Sequence, residues 1–231
     1  MMNLLQIVDT LNTAVNTAQA DANKDGNINV IELLRLGGWI MVPLAVLFVV
    51  TIFVFFERLI AIRKASKIEG NFMNIIRDHI VTGNVSAARS FAKNTNNPVA
   101  RIIDKGIQRI GKPIDSIEKS MENVGKLELY HMERNLSILS LIAGIAPMFG
   151  FLGTIIGMIT LFYNINSTGD FELSTIAGGI YVKMITSATG LIIGVIAYVG
   201  YNYLSTQVDK TANKMEASSS EFIDILQEPT K

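Results

Sequence analysis

From Leu136 to Asn164 the chain reads LSILSLIAGIAPMFGFLGTIIGMITLFYN, with no charged side chain anywhere in the run. A bilayer's hydrocarbon core, about 30 Å thick, needs roughly 20 helical residues, so this run is long enough to cross one. It also departs from a plain lipid-facing anchor. Ala143, Ala146, Gly150, Gly153 and Gly157 recur at alternating spacings of three and four, which stacks them on one helical face. Small residues so spaced let a second backbone come close, and Gly153-x-x-x-Gly157 is the close-packing pattern. Thr154 sits beside that smooth face. Two readings stand for it: a hydroxyl bonded back to its own helix in a packed bundle, or a pore-lining group offered to water, an ion or a partner.

Two further apolar runs flank a long polar segment. The first covers residues 37–56 (GGWIMVPLAVLFVVTIFVFF), opens on Trp39 at an interface, and carries Pro43 early enough for a helix to tolerate. The third covers 175–204 and ends in the aromatic belt Tyr198, Tyr201 and Tyr203. With 49% apolar and 17% charged residues and a mean hydropathy of +0.36, the composition is that of a membrane protein. The fold expected is therefore all-α, with three transmembrane helices. Of the 20 Lys and Arg residues, 14 fall between Arg58 and Arg134, and none falls in the loop 163–174. The positive-inside rule places 57–135 and 205–231 in the cytoplasm and the N-terminal segment 1–36 outside. The first 20 residues lack a basic n-region and do not read as a cleavable signal peptide.

Leu4, Val8, Leu11 and Val15 share a face in a short amphipathic N-terminal helix. Residues 21–32 then match D-x-[DN]-x-[DN]-G-x5-E at every defined position. Asp21, Asn23 and Asp25 offer side-chain oxygens, Gly26 allows the sharp turn, Asn27 offers its carbonyl, Asn29 acts directly or through water, and Glu32 closes the site. The alternative is a polar turn leading into the first span. If the loop binds Ca²⁺ it does so outside the membrane, as a staple; no other cofactor is expected.

The segment 57–135 is polar with helical periodicity, broken at Gly83-Asn84, at Asn94–Pro98 and at Gly111–Pro113. Its last part, Ile114–Asn135, reads as one helix continuous with the second span, and 205–231 as a cytoplasmic extension of the third. Catalysis finds little support. The chain has no cysteine, its two histidines (His79 and His131) lack metal-ligand spacing, and no phosphate-cradling glycine loop or nucleophile motif occurs. A net charge of zero offers no basis for nucleic-acid binding. On the third span Lys183, Ser187, Gly190 and Gly194 share one face, with Thr186 beside it, and Gly190-x-x-x-Gly194 repeats the packing pattern. Lys183 is the one full charge inside a span. It is either functional, as intramembrane charges are by default, or a lysine snorkelling to the nearer interface.

Ala146-Pro147-x-x-Gly150-x-Leu152-Gly153-Thr154-x-x-Gly157-Met158 resembles the second-span signature of the ExbB/TolQ/MotA proteins. Gly179-Ile180, Gly190-Leu191 and Tyr201-Asn202 match that family's third span in register. Phe55-Phe56-Glu57-Arg58-Leu59 resembles the end of its first span, and Asn97-Pro98-Val99-Ala100-Arg101 a shared cytoplasmic turn. Three spans with an outside N-terminus are closer to ExbB and TolQ than to MotA.

The resemblance implies a subunit of an ion-driven motor in the bacterial inner membrane, assembled as a homo-pentamer around single-span partners of the ExbD/TolR type. The partner brings an intramembrane aspartate that is protonated and deprotonated as the driving ion, H⁺ or Na⁺, passes, and motion is transmitted to TonB-type proteins. The family's pore threonines carry over to Thr154 and, as a serine, to Ser187, so Gly150, Gly190, Thr186 and Lys183 are expected along the ion path. Gly153, Gly157, Gly194 and Pro147 are expected in helix packing. The family's common third-span glutamate aligns with Val182, so the carboxylate is left to the partner, and Lys183 is expected to tune it. The competing readings are a TolQ-like, gliding or secretion motor and, from another class, a calcium-responsive scaffold without ion flux.

Overall fold

The computed structural model describes residues 38–67, 70–169 and 173–228. Among them the chain is all-helical: α1 (Met41–Ser66), α2 (Phe72–Val81), α3 (Val85–Asn94), α4 (Pro98–Ile107), α5 (Ile114–Glu133), α6 (Leu136–Thr168) and α7 (Leu173–Gln227). Stretches within α1, α6 and α7 are long and apolar enough to cross a membrane. Each is apolar all round, with Phe53, Met148, Ile159 and Tyr198 pointing outward, as a lipid-facing helix allows and a water-facing one does not.

Local chemistry sets the breaks. After α2, Gly83 turns left-handed at φ 74°, and Asn84 then caps α3 by accepting from the Ala87 amide at 3.2 Å. Gly111, at φ 92°, and Pro113 end one element and open the next. The expected continuity from Ile114 into the second span does not hold. α5 stops at Glu133, and Asn135 adopts φ 68° before α6 begins. Asparagine is among the few non-glycine residues that visit this conformation readily. The Arg58 guanidinium, paired with Glu57, fixes the break by donating to the Arg134 carbonyl at 3.0 Å, at the orphan-carbonyl end of α5.

α7, with 55 residues, is about 80 Å long and runs from the apolar layer deep into the polar domain. Leu204, Val208, Met215 and Phe222 along it pack with Phe72, Ile76, Ala92, Ile103 and Met121 of the shorter helices. Gly106 lets α4 close on this core: a Cβ there would stand 2.6 Å from Phe222 Cε1 and 2.7 Å from Met121 Sδ. A smaller core in the apolar layer joins Met41 and Leu44 to Ile142, Ala146, Ile193 and Ala197, and seats α1 against the α6–α7 pair.

Asn97 ties the two layers together. Only 2% exposed, it accepts from the Val99 amide at 2.8 Å as the cap of α4. Its Nδ2 donates to Ala65 O at 2.8 Å and Lys67 O at 2.7 Å, at the end of α1. Four residues on, Arg101 reaches both carboxylate oxygens of the buried Glu128, at 2.9 and 2.7 Å, and donates to Asn96 Oδ1 at 2.8 Å. The Asn97–Arg101 turn is thus a clasp between α1, α4 and α5.

Candidate functional site: the seam between α6 and α7

α6 and α7 run antiparallel and meet along their small residues. A Cβ on Gly190 would stand 2.6 Å from Ala146 O and 2.8 Å from Gly150 Cα. One on Gly194 would stand 2.7 Å from Pro147 Cγ, one on Gly153 2.6 Å from Thr186 Cγ2, and one on Gly179 2.8 Å from Leu161 Cδ1. Gly157 is crossed by the aliphatic stem of Lys183. Without side chains at these positions the two backbones approach closely enough for dispersion contact along the seam.

Gly150, Gly153, Gly157, Gly190 and Gly194 are all buried in this seam. Gly150 and Gly190 face each other across it, although both were expected beside the ion path. Thr186 is wholly buried beneath Gly153, and its Oγ1 has no hydrogen-bond partner among the described residues.

Thr154 and Ser187 are placed differently. Each directly follows a seam residue, Gly153 in one helix and Thr186 in the other. In an antiparallel pair the residue after a contact position turns to the same side on both helices. The two hydroxyl residues therefore lie at one level on the same flank of the seam. Both are half-buried, and Thr154 Oγ1 donates to Phe151 O at 2.7 Å, which leaves its lone pairs to accept. α1 covers the opposite flank, through Ile142 and Ile193 with Ile138 and Ile185 at the margin. The Thr154/Ser187 flank is otherwise apolar and open, with Phe151 62%, Met184 63% and Leu191 56% exposed. It is a greasy surface with a polar waist.

Lys183 does not open on that flank. With Gly179 it lines a cavity of about 360 Å³ on the α1 side, together with Gly38, Trp39, Ile40, Gly153, Ile156, Gly157, Thr160, Leu161 and Asn164. Spacing alone put Lys183 with Ser187, because a four-residue step nearly repeats a helical face; the path of its stem over Gly157 separates them. The cavity and the Arg101–Glu128 pair were not anticipated, since each joins residues far apart in the chain with no local pattern to connect them.

The calcium-type loop, Asp21 to Glu32, lies outside the described residues. Among those described, no cluster of three His, Asp or Glu residues could hold a metal.

The MotA/TolQ/ExbB proton channel family matches residues 94–217, more than half of the chain, and so takes in α4, α5, α6 and most of α7. The chain belongs to this family. An ExbB homologue of biopolymer transport from Methanothermobacter thermautotrophicus is 28% identical over 189 residues, covering 81% of this chain and 67% of that protein. Biopolymer transport protein exbB1 of Vibrio cholerae is 38% identical over 88 residues, 38% of this chain and 39% of that protein. The Tol-Pal system protein TolQ of Haemophilus influenzae is 30% identical over 97 residues, 42% and 41% of the two. The chain is thus a membrane subunit of a proton-channel family of motor proteins, a family not of enzymes, and its α6–α7 seam lies inside the matched region.

Proposed function

We propose that the Thr154/Ser187 flank lines the bore of a homo-pentamer in the bacterial inner membrane and grips a single-span partner of the ExbD/TolR type. The observation that carries this reading is the pair of hydroxyls at one level on the flank that α1 leaves open. A pore-facing surface must meet an apolar partner helix yet supply acceptors where a proton passes, and this flank has both properties. The apolar runs of α6 and α7 contain no Asp or Glu, so the titrating carboxylate comes from the partner. The N-terminus lies on the periplasmic side and the Asn97-clasped domain in the cytoplasm, in keeping with the 14 basic residues between the first two spans. Turning of ring against partner is passed to a TonB-type protein. The ExbB role is preferred to the TolQ one because an ExbB-named relative is matched over 81% of the chain, against 42% and 49% for two TolQ relatives. The Ca²⁺ loop stays in this reading as a periplasmic staple at the entry to α1, to be tested by calcium titration with and without Asp21→Ala/Asp25→Ala.

The chain lacks cysteine, so single cysteines can be placed without background. Phe151→Cys and Met184→Cys should cross-link to a cysteine in the partner's helix, and Val46→Cys on the outer face of α1 should not. Cross-linking from Val46 and not from Phe151 would overturn the assignment.

A further inference from the structure

The cavity around Lys183 is a second site, on the other flank of the seam from the hydroxyl pair. Three features of its lining point to an anion. Lys183 brings a full positive charge into a membrane span, and none of the ion pairs among the described residues involves it. A charge so placed finds a counter-charge or a polar path, because hydrocarbon solvates it poorly. The N-terminal end of α1 borders the same cavity through Gly38, Trp39 and Ile40; the Met41 and Val42 amides there donate to the Gly38 and Trp39 carbonyls at 3.1 Å, so this end offers the cavity the positive side of the helix dipole but not those two amides. Trp39 stands at the mouth, 79% exposed, with an indole N–H that can only donate. Thr160 Oγ1 spends its proton on Ile156 O at 2.9 Å, so the ammonium is the one charged donor in the lining and the indole stands beside it.

The cavity's walls say which anion. They are the starts of α1 and α7 and the second half of α6 from Gly153 on, all toward one side of the membrane, and every other lining group apart from Thr160 and Asn164 is apolar or glycine. The volume is that of a small-molecule site. It takes a charged head with its apolar remainder left in the bilayer. We infer that Lys183 and Trp39 hold the phosphodiester of an anionic glycerophospholipid between α1 and the α6–α7 seam. The lipid would wedge α1 against the seam at its outer end, as the Asn97 clasp does at the inner one. This inference needs only the membrane placement of the three helices, and stands whether or not the opposite flank lines a pore.

Trp39 is the only tryptophan in the chain, so it reports on the site directly. The full-length protein, in nanodiscs doped with acyl-brominated phosphatidylglycerol or phosphatidylcholine, should be half-quenched at an about fivefold lower mole fraction of the anionic lipid, the scale set by one lysine near a headgroup. Lys183→Met should abolish that preference and Lys183→Arg keep it; should Lys183→Met not fold, Lys183→Gln is read in its place. Excess inorganic phosphate should leave the quenching unchanged. Equal quenching by both lipids in the unaltered protein, or a preference that survives Lys183→Met, would overturn the assignment. Loss of the preference on adding phosphate would make the site one for a free anion and overturn the lipid.

Discussion

One amide, that of Asn97, serves three backbone groups: it accepts from Val99 N and donates to the carbonyls of Ala65 and Lys67. Cap residues are usually interchangeable, with Asp as good as Asn. Here they should not be. Asn97→Ala should cost about 2 kcal/mol, from the lost cap and two stranded carbonyls, seen as a melting midpoint lowered by about 5 °C. Asn97→Asp should be at least as damaging, because its carboxylate would face two carbonyl oxygens. If Asp restores the midpoint, capping is the whole role of Asn97 and the clasp to α1 is wrong.

Glu128 makes a related case. Its side chain is 10% exposed and depends on Arg101. Arg101→Met strands a buried carboxylate and should destabilise by about 2 kcal/mol, whereas Arg101→Met/Glu128→Leu should recover most of that loss. A double variant no better than the single one would show that packing rather than charge holds the pair. The sequence marks Asn97 and Arg101 as a motif. It gives no sign of Glu128, which lies 27 residues away on another helix.

At the scale of elements, glycines that look alike in sequence divide sharply by what surrounds them. At Gly190 a Cβ meets the backbone of α6, which cannot yield without parting the helices, while at Gly144 and Gly178 nothing lies within 4 Å. Gly190→Ala should therefore lower the thermal midpoint markedly. Gly144→Ala should leave it unchanged or raise it, since alanine is the better helix former. Gly106→Ala should fall between, because its neighbours are side-chain atoms of Phe222 and Met121 and not backbone. Equal effects at Gly190 and Gly144 would contradict the seam.

Periodicity made the seam legible, because steps of three and four pick out a helical face directly. It could not show which helix covers which flank. Gly150 and Thr154 are one turn apart, yet one is buried in the seam and the other opens beside it. That difference is a rotation of tens of degrees, set by the close approach of α7, and no local pattern encodes it. The break at Asn135 was hidden for a similar reason. Neither Gly nor Pro marks it, and it depends on Arg58, contributed by a helix much earlier in the chain.

At the scale of the whole molecule, the spans, their number and the basic segment between the first two were readable from hydropathy and charge alone. What α1 does was not. It seats on one flank of the α6–α7 pair and leaves the other open, which gives the membrane layer two unlike sides: a cavity holding Lys183 and a surface holding Thr154 and Ser187. Under the proposed function, motion developed at the hydroxyl flank would have a direct route into the polar domain, since α7 continues unbroken into the core around Phe222 and Asn97 fastens α1 to the same domain.

The most direct test of this account is proton flux through the reconstituted assembly with its single-span partner, driven by a pH gradient across liposomes. Thr154→Val/Ser187→Ala removes both hydroxyls with little change in volume and touches no seam contact. Flux should fall at least tenfold, the scale expected for losing about 1.4 kcal/mol of stabilisation along the proton path, while the assembly keeps its size and its partner. Undiminished flux in an intact assembly would contradict the claim that this flank carries the proton.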